Sequence, residues 1–328
     1  MPQPDGGEHI QVDTSDEDSL LDSESLIGSN LTKISSVRDY CYENGRRYHA
    51  YRYGQYPMPN DEEEQDRLAL MHHAFKLLLG GDLFRAPIHQ PRRILDVGTG
   101  TGIWALEMAE EFPNAEIMGT DLSPIQPNWA PPNCTFLVDD AESDWAYTKE
   151  ESFDYIHARS MGGSIADWGR LLRQAYDHVK PGGWVEIQES ETWVRSDDGT
   201  CKDAVMVRAL QQKLEEGSTK FGKRMNIAPE VRGYMQRAGF ENVTDDIYKC
   251  PVGTWPKSPR LKEIGRVAKV TLYDSIEPYA LAIFTRVLGY TYEEAQDFVQ
   301  KVQAELVSSN YHIYVLFHYV YGQRPLHG

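Results

Sequence analysis

Residues 94–102 read Ile94-Leu95-Asp96-Val97-Gly98-Thr99-Gly100-Thr101-Gly102, a short apolar strand running into a glycine-rich turn with a helical pattern directly behind it. A strand–turn–helix of this kind presents backbone N–H groups and the positive end of a helix to a ligand. Its spacing discriminates between ligands. A dinucleotide fingerprint needs a small residue three places after its second glycine, and Ile103 stands there. A phosphate-binding P-loop needs Lys-Ser/Thr after its last glycine, and Ile103-Trp104 follow instead.

Working outward, strand and helix patterns alternate from residue 92 onward, which predicts an α/β fold: a mostly parallel sheet with helices on both faces. Strands are expected at Arg93–Val97, Glu116–Thr120, Thr135–Val138, Phe153–His157, Trp184–Gln188 and Val243–Tyr248, with a last one in the apolar run Ile313–Tyr321. Helices are expected at Gly102–Phe112, Trp168–Val179 and Pro229–Ala238, and 257–308 reads as a helical insertion before the last strand. An earlier helix starts at Asn60, with Glu63 placed for a capping box and Leu68, Met71, Phe75, Leu78 and Leu79 as its apolar stripe. Residues 37–328 thus form one domain, with 257–308 as its lid. Residues 1–36 read as a disordered acidic tail, because 1–32 hold no Lys or Arg and too little apolar surface to offset ordering entropy.

The chain has 328 residues and a formal net charge of −17, a field that repels phosphate backbones and argues against direct nucleic-acid binding. No run of eighteen apolar residues exists, so no membrane-spanning helix is expected. Cys41, Cys134, Cys201 and Cys250 are scattered, which argues against a metal site or a disulfide framework and fits a reducing, cytoplasmic or nuclear, compartment.

The Asp-x-Gly-x-Gly-x-Gly pattern beginning at Asp96 resembles motif I of the class I S-adenosylmethionine (SAM) methyltransferases. That resemblance implies that Gly98, Thr99, Gly100 and Gly102 wrap the methionine part of SAM, with Asp96 holding the turn or contacting the amino group. The later strand ends agree. Asp121, followed by Leu122, closes the second strand, where a carboxylate accepts from both ribose hydroxyls. Asp140 closes the third, where its carboxylate would accept from the adenine amino group beside the Ala141 N–H. His157-Ala158-Arg159-Ser160 follows the fourth, where methyl donor and acceptor should meet. The Tyr- and Arg-rich stretch 40–56 offers Tyr48 as an aromatic face for the sulfonium, and Arg46, Arg47 or Arg52 for the methionine carboxylate. His157, Glu189, Glu191 and His312 are the candidate bases near strand ends.

A narrower likeness rests on Glu43-Asn44-Gly45-Arg46-Arg47-Tyr48-His49, Gln65-Asp66-Arg67-Leu68, Asp121-Leu122-Ser123-Pro124-Ile125-Gln126-Pro127 and Tyr319-Val320-Tyr321-Gly322-Gln323-Arg324-Pro325. Over about residues 37–327 the chain resembles the fungal LaeA-like methyltransferases. The resemblance implies a Rossmann-like seven-stranded sheet with its last strand antiparallel, SAM as cofactor, and a place in fungal secondary metabolism. The implied activity is methylation of an O, N or S atom of a small natural product. The alternative is a regulator working through velvet-type protein partners.

Overall fold

A computed structural model describes residues 2–7, 9–13, 40–49, 51, 52, 54, 56–308 and 311–327. A short hairpin, β1 (Cys41–Glu43) and β2 (Arg46–Tyr48), precedes helix α1 (Glu62–Leu78). There follow β3 (Arg93–Val97), α2 (Ile103–Glu111), β4 (Glu116–Asp121), β5 (Cys134–Val138), β6 (Phe153–Arg159), α3 (Trp168–His178) and β7 (Val179–Ser190). The chain continues with α4 (Val205–Phe221), α5 (Ala228–Ala238), β8 (Glu241–Pro251), α6 (Pro259–Arg286), α7 (Tyr292–Ser308) and β9 (Tyr314–Gln323).

Seven strands form one sheet in the order β5-β4-β3-β6-β7-β9-β8. All neighbours are parallel except β9, which lies antiparallel between β7 and β8. The expected mostly parallel sheet with an antiparallel last strand is therefore present. Period-two alternation places each side chain. On β3 and β6, Ile94 and Tyr155 face a layer containing Trp104, Ala105 and Met108 of α2. Their neighbours Leu95 and Ile156 face Leu171, Leu172 and Ala175 of α3 with Val231 and Met235 of α5. Burial on both faces explains why these strands read as continuous apolar runs. The helices α4, α6 and α7 build a further apolar cluster around Leu210, Leu214, Ile276, Phe284, Val299 and Leu306.

Three local expectations change. The cap of α1 is Asp61, whose carboxylate accepts from Glu64 N at 3.1 Å, whereas Asn60 bridges to Ser123 Oγ at 3.3 Å. Helix α4 and the hairpin β1–β2 were not legible as elements. The acidic tail is partly ordered. The N–H groups of Asp5 and Gly6 donate to Ile247 O on β8 at 3.0 and 2.9 Å, Ile10 is buried, and Val12 bridges to Pro256. An outermost strand presents unpaired backbone groups, and pairing with them offsets the ordering cost that composition alone suggests. The remainder of the tail, from residue 14, lies outside the described residues up to residue 39.

Candidate active site

The glycine turn sits at the carboxyl end of β3, and its shape needs glycine. Gly98, Gly100 and Gly102 all have positive φ, at 70°, 57° and 80°. A Cβ on Gly98 would run into Met161 Sδ, and one on Gly102 would lie 2.6 Å from the Phe136 ring. The carboxyl ends of β4 and β6 flank this turn, and β5 lies beyond β4.

Two adjoining cavities open over these strand ends. The first, about 110 Å³, is lined by Gly98 and Gly100, by Asp121, Leu122 and Ser123, by Asp139, Asp140 and Ala141, and by Arg159, Ser160 and Met161. Tyr56, Asn60 and Glu64 roof it. Asp121 Oδ2 accepts from Gly100 N and its Oδ1 from Ser123 N, both at 2.8 Å. Burial still dominates these bonds and pushes the Asp121 carboxyl up to about 6. Asp140 accepts from Glu142 N at 2.9 Å and pairs with Arg52 Nε at 3.3 Å. The smaller second cavity, about 50 Å³, lies under the turn between Asp96, Thr99, His157, Arg159 and His72. There Asp96 accepts from Thr99 Oγ1 at 2.6 Å and binds His157 Nδ1 at 2.7 Å. The His157 ring stacks on Trp104, with centroids 3.7 Å apart, and its buried Nε2 has no partner.

A third and larger cavity, about 150 Å³, lies beyond the ends of β6 and β7. Its walls are mostly apolar: Leu210 and Leu214 of α4, Ile276 of α6, Leu306 of α7, Val315 and Phe317 of β9. Ser160 lines all three spaces. It is a non-glycine residue at φ 55°, a strained conformation of the kind that clusters at functional sites. Glu189 also faces the apolar cavity, and its carboxylate accepts from Met161 N at 2.5 Å. Burial pushes the Glu189 carboxyl up to about 8, against the pull of the Met161 and Gly162 N–H groups. Glu191 lines the cavity too, but it is paired with Arg195 and His318 and held low.

The structure thus brings together Asp96, Gly98, Thr99, Gly100, Asp121, Leu122, Asp140, Ala141, His157 and Arg159 at the two polar cavities. Gly102 supports them from the start of α2. Others lie apart. Tyr48 is buried under the Arg286 guanidinium, 4.9 Å from its ring centroid, and lines neither polar cavity. Arg46 and Arg47 are engaged by Asp61 and Glu62, and Arg52 by Asp140. His312 pairs with Asp198 at 2.5 Å and lines none of the three cavities. In each case a local partner takes the group that spacing left free. Residues not anticipated are His72, Ser160 and Met161, and the α4 wall of the apolar cavity. Only Ser160 stood within a quoted motif.

The family model described as a methyltransferase domain matches residues 69–245. Methyltransferase pytC of Aspergillus terreus is 44% identical over 309 residues, spanning 93% of this chain and 95% of its own. A secondary metabolism regulator of Cochliobolus heterostrophus is 38% identical over 304 residues, 90% of this chain and 99% of its own. The protein-methionine methyltransferase laeA of Emericella nidulans is 34% identical over 287 residues, 87% of this chain and 76% of its own.

Proposed function

The chain belongs to the LaeA-like family of SAM-dependent methyltransferases, and from that premise we propose that it methylates a small, largely apolar natural product held in the cavity between β7, β9 and the helices α4, α6 and α7. One observation carries the reading: carboxylates at the ends of successive parallel strands, Asp121 and Asp140, line the same cavity as Gly98 and Gly100. This donor set suits SAM. The turn accepts close approach because a Cβ at Gly98 would collide with Met161. Asp121 is placed for the ribose hydroxyls, with Leu122 beside it, and Asp140 with Ala141 for the adenine edge. Asp96 and Arg159 offer opposite charges to a zwitterionic amino-acid end.

Bound SAM would supply an electrophilic methyl group, and the chain's task is alignment in a water-poor pocket. Ser160 stands at the junction of the cofactor and acceptor spaces. The apolar walls draw the acceptor out of water. Glu189, a buried carboxylate that faces this cavity and accepts from Met161 N, is the residue best placed to receive a proton from an acceptor hydroxyl. His157 is locked between Asp96 and Trp104, which suits it to holding the turn.

Calorimetry with S-adenosylhomocysteine (SAH) tests the cofactor half. Asp121→Ala should weaken SAH at least tenfold, about 1.4 kcal/mol; equal affinity would remove the ribose assignment. A metabolite comparison between strains with and without the gene tests the acceptor half. One missing product, heavier by a methyl group than an accumulating precursor, supports this reading. Broad loss of unrelated metabolites favours a second one, suggested by the regulators among the relatives. There the protein would act with a velvet-type partner, in the nucleus as well as the cytoplasm, and such a partner should co-purify with it. Among the described residues no helix is long and apolar enough to cross a membrane.

A further inference from the structure

Arg159 is an unusual cation in this molecule. It ends β6 at the polar cavities, and among the described residues no carboxylate lies within ion-pairing distance of it. Burial pulls its guanidinium below the ordinary arginine value. Its Nη2 donates to His72 Nδ1 at 3.0 Å, and its guanidinium lies 5.1 Å from the centre of the Phe75 ring. An arginine only donates, so His72 Nδ1 must accept, and the ring's proton sits on Nε2. That Nε2 lies 3.3 Å from Glu107 Oε1 without the geometry of a hydrogen bond, and Glu107 Oε2 holds Lys76 Nζ at 2.6 Å. The row Arg159–His72–Glu107–Lys76 therefore runs from β6 to α1, across to α2 and back to α1, and the Arg159–His72 hydrogen bond fixes the direction of one guanidinium. A half-buried charge with no counter-charge beside it is costly, and an anion would relieve that cost.

The place of that anion follows from the sheet. Asp96 lies opposite His157 in the β3–β6 register, and Arg159 is two residues further along the same face. One small cavity thus presents a carboxylate and a guanidinium side by side. We propose that Arg159 seats the carboxylate of the cofactor's amino-acid end, and that His72 is the positioning residue that aims it. This rests on the methyltransferase reading above. Arg46, Arg47 and Arg52 do not compete, because Asp61, Glu62 and Asp140 already engage them. Planar guanidinium matches carboxylate in a bidentate fork, which a lysine in the same place would not reproduce.

The test is calorimetric and needs no acceptor. SAH carries the amino-acid end; 5′-methylthioadenosine keeps the adenosine thioether and lacks it. Arg159→Gln should weaken SAH by at least about thirtyfold, the scale of losing one side of a buried charge pair, and leave 5′-methylthioadenosine within about twofold. Arg159→Lys should fall between. His72→Leu should cost SAH about fivefold or more with the same selectivity, and His72→Asn, which keeps an acceptor near the Nδ1 position, should recover most of it. Unchanged SAH affinity in Arg159→Gln, or equal losses for both ligands, overturns the carboxylate seat. Equal losses in His72→Leu, or no recovery in His72→Asn, reduce His72 to a packing residue and overturn its part. If the wild type binds neither ligand, the methyltransferase reading itself fails; if it binds SAH in an Asp121-dependent way and ignores Arg159, only this proposal does.

Discussion

The cavities proposed for the cofactor and the cavity proposed for the acceptor are built by opposite means. The first are assembled from strand ends, which bring charged residues together: Asp121 at the end of β4, Asp140 two residues past β5, Arg159 at the end of β6. The acceptor cavity is apolar and assembled from single side chains on α1, α4, α6, α7, β7, β8 and β9. The first is a property of connectivity, because parallel strands all end on one edge of the sheet. The second is a property of packing, and any residue of the right size could have been recruited to it.

Three substitutions sharpen or break that contrast. The largest effect is expected at Gly98→Val, which adds a β-branched side chain at positive φ and against Met161. SAH affinity should drop at least about a hundredfold, since both strain and loss of the cavity act together; calorimetry that finds SAH still bound normally would mean the turn is not the cofactor cradle. Next comes Leu210→Trp, which fills the apolar cavity from α4. Transfer of a labelled methyl group from SAM to an organic extract of the source organism should fall at least about tenfold, while SAH affinity stays within about twofold, because distant sites act independently. Loss of SAH binding in that variant would show the two halves to be one unit.

The smallest effect is a pH dependence. The Glu189 carboxyl is raised to about 8 in the folded chain, so the folded state binds more protons than the unfolded one between the ordinary glutamate value and about pH 8. Stability contributed by this group is present in acid and is lost as pH rises through that window. The melting temperature of the wild type should therefore decline from pH 5 to pH 8 more steeply than that of Glu189→Gln. Parallel curves would mean that Glu189 titrates like a solvated carboxylate.

The same contrast decides what the sequence made legible. The glycine turn, Asp121 and Asp140 could be placed because each depends on its own strand and turn. The central strands β3 and β6 could be placed because their burial on both faces forces apolar runs. Arginines could not be assigned from residue type. Spacing offered Arg46, Arg47 and Arg52 for the carboxylate and did not offer Arg159, and only three-dimensional pairing shows that Asp61, Glu62 and Asp140 engage the first three. Tyr48 and His312 were drawn away by Arg286 and Asp198, which lie 238 and 114 positions distant in the chain. Helix α4 was obscured by its mixed face, in which Gln211 and Ser218 are buried beside Leu210 and Leu214.

The antiparallel strand β9 has a consequence of a different kind. Pro251 at the end of β8 pairs with Tyr314 at the start of β9, and Val252 N donates to Ile313 O at 2.9 Å. The chain that carries α6 and α7 therefore leaves the sheet and re-enters it at a single point, like a loop of rope made fast to one cleat. Elsewhere packing also holds it, Ile264 and Ala268 of α6 lying in the same apolar cluster as Phe75 and Leu78 of α1. On this plan the residues of α6 and α7 that line the apolar cavity can be exchanged one at a time without altering the pairing of β8 with β9.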